Sequence, residues 1–406
     1  MKIYEPLTKL YYKGLNTEEI YLQRINNICS YNTNLKIFPI LRGERVTKNE
    51  FSLFYLPINE LSLLQEKIFF NSKDILSLAS LLPEVARKAC IKDIMTNEIN
   101  RTNGIEGVYS TKKEIYESMA STKTTRYSGI INKYIQIIDN NITNINSPEE
   151  IRKIYDDIFS EDILKNPENQ LDGKLFRKNK INISNGVRNI HTGDTTEENI
   201  ISHLNDLINF MNIKEIPSLI KASIVHYYFE YIHPFYDGNG RFGRLLFSMY
   251  LARKIDIFTG LSLSYAIFSD KKTYSDLFLE TSNVKNYGEV TFFITGMLKF
   301  IIKGQESIIQ MLKDKIEKLN FAFAYTAKQN NIEDIEKTIL IIYIQSYIFA
   351  KENPLSDKEL LTYMDFKSIL TLKKHLTTLT NKGFITQTSN RPITRTISDN
   401  LKEIFD

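Results

Sequence analysis

A mainly α-helical protein is what this sequence predicts: a helical bundle with one short β-hairpin, plus a small C-terminal winged helix-turn-helix. Three observations carry that prediction. Glycine and proline are scarce, 16 and 10 among 406 residues, about half of their usual combined share of ~12%. Helix-start signatures recur along the chain. Runs that alternate with the strand period are few. A collagen, a Gly/Ser linker protein and a many-turned β fold are thereby excluded. In a chain so short of glycine, a cluster of glycines marks a place where the backbone has a special task.

The elements follow in chain order. Thr111 with Glu114 reads as a capping box. Ser147-Pro148-Glu149-Glu150 supplies an N-cap, a proline at the first helical position and a capping-box glutamate. Ile151, Ile154, Tyr155, Ile158 and Phe159 then fall on one helical face. Leu175 to Ser184 partly alternates and ends at Asn185-Gly186, a hairpin signal. Thr195 with Glu198 caps a helix whose apolar positions are Ile201, Leu204, Leu207, Ile208 and Met211. Ser218 to Ile232 is a further helix, and a long one is expected over roughly 304–329. After the Gln329-Asn330-Asn331 break come a helix over 335–350, a helix capped by Ser356 with Glu359, a helix over 366–380 and a strand pair over 384–397. That is the order of a winged helix-turn-helix. The expected division is an N-terminal helical region (1–135), a core holding the glycine cluster (136–305), a helical connector (306–331) and the winged part (332–406).

Composition removes other classes. Hydrophobic residues are 42% and charged residues 25%, ordinary for a soluble globular protein. The longest mainly apolar stretch, Thr338 to Ala350, falls short of the ~20 residues a bilayer requires. The N-terminus has no apolar run of the secretory type. The expectation is a cytoplasmic protein without a membrane segment. Cys29 and Cys90 have neither metal nor redox spacing and are expected as two buried thiols. The net charge of +4 is too weak to announce nucleic-acid binding for the whole chain. Between 366 and 398, however, every charged residue is basic: Lys367, Lys373, Lys374, Lys382, Arg391 and Arg395. DNA contact through 332–406 is therefore an expectation, weighed against protein docking.

The glycine cluster carries the chemistry. It reads Tyr231-Ile232-His233-Pro234-Phe235-Tyr236-Asp237-Gly238-Asn239-Gly240-Arg241-Phe242-Gly243-Arg244. Pro234 disfavours helical geometry at His233, so the preceding helix ends there and presents an imidazole. Gly238 and Gly240 permit a tight turn and close approach of a ligand. A second helix starts near Arg241, with Leu245, Leu246, Met249 and Tyr250 as its buried positions. Its free amides and dipole attract an anion. Arg241 and Arg244, three apart, share a face and suit phosphate. His233 is a base that titrates near neutrality, and Asp237 is a hard oxygen ligand for Mg²⁺. The chain has no P-loop sequence and no protein-kinase signature.

From His233 to Arg244 the sequence resembles the Fic motif, HxFx[D/E]GNGRxxR, at every specified position. The resemblance implies a Fic-type helical bundle that moves AMP from ATP to a Ser, Thr or Tyr hydroxyl of a target protein, itself included among the candidates. Carried over by position, His233 deprotonates the hydroxyl and Asp237 holds Mg²⁺. Gly238, Asn239 and Gly240 cradle the phosphates, with Gly243 in the same loop. Arg241 and Arg244 bind the outer phosphates, and Phe235 anchors the loop. Leu175 to Gly186, with Arg177, stands where the family has its β-hairpin flap. Tyr274 resembles a tyrosine lining the adenine pocket, and His191 follows the flap near the nucleotide. Thr102-Asn103-Gly104-Ile105-Glu106-Gly107 resembles the inhibitory pattern [S/T]xxxE[G/N], in which Glu106 would occupy Arg244, with Thr102 and Gly107 as its other fixed positions. Thr102-Asn103 replaces the more usual pair of serines. His203 and His226 are expected as core or surface residues, and His375 belongs to the basic C-terminal helix. No cluster of the zinc type is visible from spacing. Two other readings stand beside the leading one: a DNA-binding regulator whose Fic domain senses nucleotide, and a Fic enzyme that removes AMP with Glu106 orienting water.

Overall fold

Ser147 caps the helix Pro148–Phe159 as its sequence demands, its hydroxyl accepting from Glu150 N at 3.4 Å. All five residues of the expected apolar face are buried. The Glu150 carboxylate accepts from Asn146 N at 2.6 Å instead of from Ser147 N, so half of this box is displaced by one residue. The computed structural model describes residues 4–141, 144–184, 189–364 and 369–406. Helices dominate it and strands are short. Thr111–Glu114 and Ser356–Glu359 close as reciprocal capping boxes. The cap expected at Thr195 lies one residue later. Extended Thr196 accepts from Asn199 N and opens the helix Glu197–Asn212.

The chain forms two compact units. One contains 1–72, 101–109 and 121–305; the other contains 73–100, 110–120 and 306–406. The expected N-terminal region of 1–135 is thus shared between them. It is also not purely helical. Tyr31–Ile37 pairs antiparallel with Phe51–Tyr55. Ile40–Leu41 pairs with Glu44–Arg45 around Arg42 and Gly43, both at positive φ. Along Tyr31–Ile37, Thr33, Leu35 and Ile37 are buried while Asn32, Asn34 and Lys36 are exposed. That is a strand period, disguised because one inward position is a threonine.

In the first unit the helix Ser218–Ile232 is apolar on nearly every side and is buried accordingly. Leu175–Ser184 is not the strand its partial alternation suggests. Only Asn182–Ser184 joins a ladder, with Asn189–Thr192. Upstream, the amides of Lys174, Leu175 and Phe176 donate to the Glu197 carboxylate at 2.9, 2.5 and 2.9 Å. Donors given to a carboxylate are not available to a strand. The expected Asn185-Gly186 turn lies outside the described residues.

The long helix starts earlier than expected and runs Thr291–Ala327. In the second unit, helices Asp334–Phe349, Asp357–Leu361 and Ile369–Asn381 precede strands Ile385–Asn390 and Ile393–Ile397. Leu355–Ser356 adds a third strand beside Ile393–Ile397. Lys367 and the start of the helix expected over 366–380 lie outside the described residues. Arg395 Nε is 3.0 Å from Asp357 Oδ1, so one of the basic residues there is neutralised. Cys90 is buried but Cys29 is exposed, a correction to the expected pair of buried thiols. Glu333, Glu336 and His375 come together with ligand atoms within 4.8 Å. Residues 39 apart escape any spacing rule. Glu336 already serves a capping box and lies 3.4 Å from His375 Nδ1. Among the described residues, no helix is long and apolar enough to cross a membrane.

Candidate active site

The site begins where the helix Ser218–Ile232 ends. His233 is its C-cap, with φ 55° and ψ 63°. The helix ends at His233, as Pro234 predicts, and His233 adopts the left-handed conformation, which costs a non-glycine residue about 1–2 kcal/mol. The surroundings hold it there. His233 N donates to Phe229 O at 3.0 Å. Arg177 Nε donates to His233 O at 2.8 Å and Arg177 Nη2 to Ile232 O at 3.3 Å. Asp194 N reaches Ile232 O at 2.9 Å. Arg45 Nη2 and His191 Nε2 both meet Tyr231 O at 3.0 Å. Three successive carbonyls at a helix C-terminus thus face buried donors, two of them arginines, where the helix dipole is negative.

The next helix, Asn239–Lys254, opens from Gly238, which has φ 80°. A side chain there would be strained and would collide with Ile163. Phe235 is fully buried and stacks on Tyr155 with ring centroids 3.6 Å apart. The Tyr155 hydroxyl donates to Asp237 O at 2.9 Å. Asn239 is spent on the loop itself: Oδ1 accepts from Phe235 N at 2.9 Å and Nδ2 donates to Phe235 O at 2.8 Å. Asp237 is exposed. Its Oδ1 accepts from Gly238 N at 2.5 Å, and among the described residues its Oδ2 has only Asn169 Nδ2 at 3.5 Å. One oxygen therefore faces outward and lightly held, which suits a hard cation such as Mg²⁺.

Both motif arginines are occupied by acids. Arg244, 1% exposed, meets Glu106 Oε1 through Nη1 at 2.7 Å. Its Nε donates to Thr102 Oγ1 at 2.9 Å and its Nη2 to Thr102 O at 3.1 Å. The threonine that replaces the usual serine therefore makes its contact. Glu106 lies just beyond the helix Glu84–Ile105, followed by Gly107 at φ 73°. Arg241 Nη1 pairs with Asp162 Oδ2 at 2.7 Å. Sequence reasoning missed Asp162, because nothing in its neighbourhood repeats a motif. Gly240 leaves the room that the Glu106 carboxylate fills.

Electrostatics follow from burial. Burial first, and then the Arg177 cation, lower the His233 pKa to about 3, opposed by the Glu230 carbonyl. The imidazole is therefore neutral at pH 7. Burial pushes the Glu230 carboxyl up to about 8, with Arg244 opposing and Glu106 adding to the rise. Its Oε2 lies 4.0 Å from His233 Nδ1. The Arg244 guanidinium is held charged by Glu106 against its burial.

The remaining expected residues have structural neighbours. Tyr274 is buried, its hydroxyl 2.7 Å from His226 Nε2, in a cluster with Phe278 and Phe300. Gly243 packs closely against Glu230. His203 Nδ1 lies 2.8 Å from Asp194 Oδ2. His191 turns its ring to a helix carbonyl and supports the site from behind. Arg45 was not anticipated; its signal was the Arg42-Gly43 turn that projects it.

The loop from His233 to Gly238 thus joins two helices, with the motif residues gathered on it and on the first turns that follow. Residues 145–251 match the family described as Fic/DOC family, and this segment is a Fic/DOC family domain. Among solved structures, a Fic family protein from Desulfovibrio desulfuricans G20 is similar at 17% identity, over 85% of this chain and 98% of that one, with a TM-score of 0.47. Fic-1 (aa134–508) from C. elegans is similar at 15% identity, over 63% and 73%, with a TM-score of 0.43. A Fic domain containing signaling protein from Bacteroides thetaiotaomicron is similar at 17% identity, over 63% and 97%, with a TM-score of 0.40.

Proposed function

We propose that this chain transfers AMP from ATP to a hydroxyl side chain of a protein target and that Glu106 restrains it. Fic-domain proteins are in general AMPylators or related nucleotide transferases. The observation that carries the reading is the His233–Arg244 loop, with a neutral imidazole on one helix end and Arg244 held by Glu106 at the next. In the step, the target hydroxyl oxygen bonds to the α-phosphorus and its proton passes to the imidazole of His233. The bond from the α-phosphorus to the bridging oxygen breaks, and pyrophosphate leaves with that electron pair. Amides at the start of Asn239–Lys254 face the phosphates, and donors so placed stabilise developing charge. Asp237 is the residue that would hold Mg²⁺, which when bound neutralises phosphate charge. With Glu106 on Arg244, the cation for the outermost phosphate is taken and ATP lacks its productive pose.

Mass spectrometry of the full chain, unmodified and Glu106→Gly, after incubation with ATP and Mg²⁺ tests the reading. The expected result is an AMP adduct on itself or an added target with Glu106→Gly, and its loss when His233→Ala is added. Absence of any nucleotide adduct with Glu106→Gly overturns it. Residues 332–406, with the element order of a winged helix, would serve target docking, since Arg395 is neutralised by Asp357.

A further inference from the structure

We propose that Arg177 is a positioning residue for His233: its buried guanidinium fixes the strained backbone that aims the imidazole. The inference rests on the reading of His233 as the base. Arg177 is fully buried, so it does not reach outward to a target segment. All its hydrogen bonds in the described residues go to backbone carbonyls. Nε takes His233 O at 2.8 Å and Nη2 takes Ile232 O at 3.3 Å. Nη1 takes Asn179 O and Asp194 O at 2.7 and 2.6 Å. A guanidinium presents five N–H groups in a rigid fork, and here the fork spans the last carbonyls of one helix and two loops.

The need for such a clamp is conformational. His233 sits in left-handed backbone at φ 55°, and a buried carbonyl left unpaired there loses its solvation without a replacement partner. If the clamp goes, the His233 carbonyl must find another donor, and the cheapest way is for the backbone to relax out of the left-handed region. The imidazole then swings away from the loop. A misplacement of ~1 Å at a reacting group costs on the order of 100-fold in rate.

An acid holding the second imidazole nitrogen is the common device for orienting a histidine base. It is weak here. Among the described residues the nearest carboxylate oxygen, Glu230 Oε2, is 4.0 Å from Nδ1, and Nδ1 contacts the Glu230 carbonyl at 3.4 Å. Backbone, more than a carboxylate, sets the direction of this ring, and Arg177 holds the backbone. Gly193 supplies an independent lever. A Cβ at Gly193 would lie 2.5 Å from Arg177 Nη2 and 3.0 Å from His233 Cβ, so Gly193→Ala displaces the clamp without altering the arginine.

The experiment uses the full chain carrying Glu106→Gly, alone and with Arg177→Gln or Gly193→Ala. Three quantities are read: kcat and KM for ATP, the acid limb of the pH profile, and the imidazole NMR signals of His233, identified by their loss in His233→Ala. The expected result for Arg177→Gln is a fall in kcat of about 30-fold or more with KM within about twofold. The acid limb moves to higher pH, because burial first and then the Arg177 cation lower the pKa of His233, and the substitution removes the second cause. Glu230 and His191 also face that ring and keep their places. The His233 signals shift, and those of His375 do not. Gly193→Ala, which keeps the cation, lowers kcat and shifts the His233 signals in the same direction. A kcat within threefold of the parent (under ~1 kcal/mol of barrier), with the His233 signals unmoved, overturns the proposal. If Glu106→Gly transfers no nucleotide, the transfer reading fails, and the NMR shift still decides whether Arg177 positions His233. If Arg177→Gln gives no cooperative melt, Gly193→Ala decides.

Discussion

Glu106 Oε1 lies 2.7 Å from Arg244 Nη1, and the two ends of this ion pair are unequal: the arginine side chain is 1% exposed and the glutamate 38%. Removing the glutamate therefore strands a buried cation. We predict that Glu106→Gly costs about 1–3 kcal/mol of stability, less than the ~3–5 of a fully buried pair because solvent reaches the glutamate. On the proposed function, the same change is expected to raise AMP transfer. Thermal melting with and without ATP checks this: the variant melts lower than the parent and gains more from the nucleotide. Equal melting and equal nucleotide response would count against Glu106 as the restraint.

Asp162 occupies Arg241 in the same way, and the Arg241 side chain is 5% exposed. Asp162→Asn is expected to destabilise the fold by about 1–3 kcal/mol, since a buried charge loses its carboxylate. A phosphate anion repairs that loss if Arg241 faces the nucleotide. The ATP-induced rise in melting temperature should then exceed that of the parent, and a smaller rise would make Arg241 a purely structural partner of Asp162.

Phe235 is fully buried between Tyr155, Phe176, Phe229 and Phe242. Phe235→Ala should cost about 3–5 kcal/mol and abolish transfer together with stability. Phe235→Leu should keep most of the fold and lose loop order. Chemical denaturation of both variants reads the difference; a Phe235→Ala protein as stable as the parent would mean that the aromatic cluster does not anchor the loop.

Acid should reach the protein's stability before it reaches its base. His191, His226 and His233 are each lowered to about 3, with burial as the largest cause. Their folded pKa values lie below the ordinary ~6.5, so below that pH the unfolded chain binds protons that the folded chain refuses. The stability they contribute is fully present above pH 6.5 and declines as pH falls toward 3. Melting temperature should therefore drop steadily between pH 6.5 and 4. The transfer rate of the released enzyme should stay flat through pH 6.5, because His233 is already neutral there. A rate profile with its acid midpoint at 6.5 or above would contradict a buried base.

Much of the site was legible because its instructions are local. Pro234 ends a helix at His233, the glycines turn the chain, and Glu106 follows a helix that stops at a glycine. The Ser147, Thr111 and Ser356 caps were readable for the same reason. Residues that act across sequence distance were not. Arg45, Asp162 and Glu197 meet their partners only after folding, and each looks like an ordinary surface charge in sequence. The loop before Asn182 misled for a physical reason: its alternation is that of a strand, but the Glu197 carboxylate takes the amides a ladder would use. The strand Tyr31–Ile37 was hidden because a threonine stands at an inward position.

Glu106 stands just past the last turn of the helix Glu84–Ile105, with its negative charge at the negative end of the helix dipole. Helix ends open locally at far lower cost than whole domains. As the restraint we propose, Glu106 would leak. If holding the end closed is worth about 2.7 kcal/mol, about 1% of molecules are open at any instant, since each 1.4 kcal/mol is tenfold. The basal rate of the unmodified protein is then a direct reading of that equilibrium. A partner that grips the frayed turn would act as a volume control, setting output anywhere between the leak and the rate of the released enzyme.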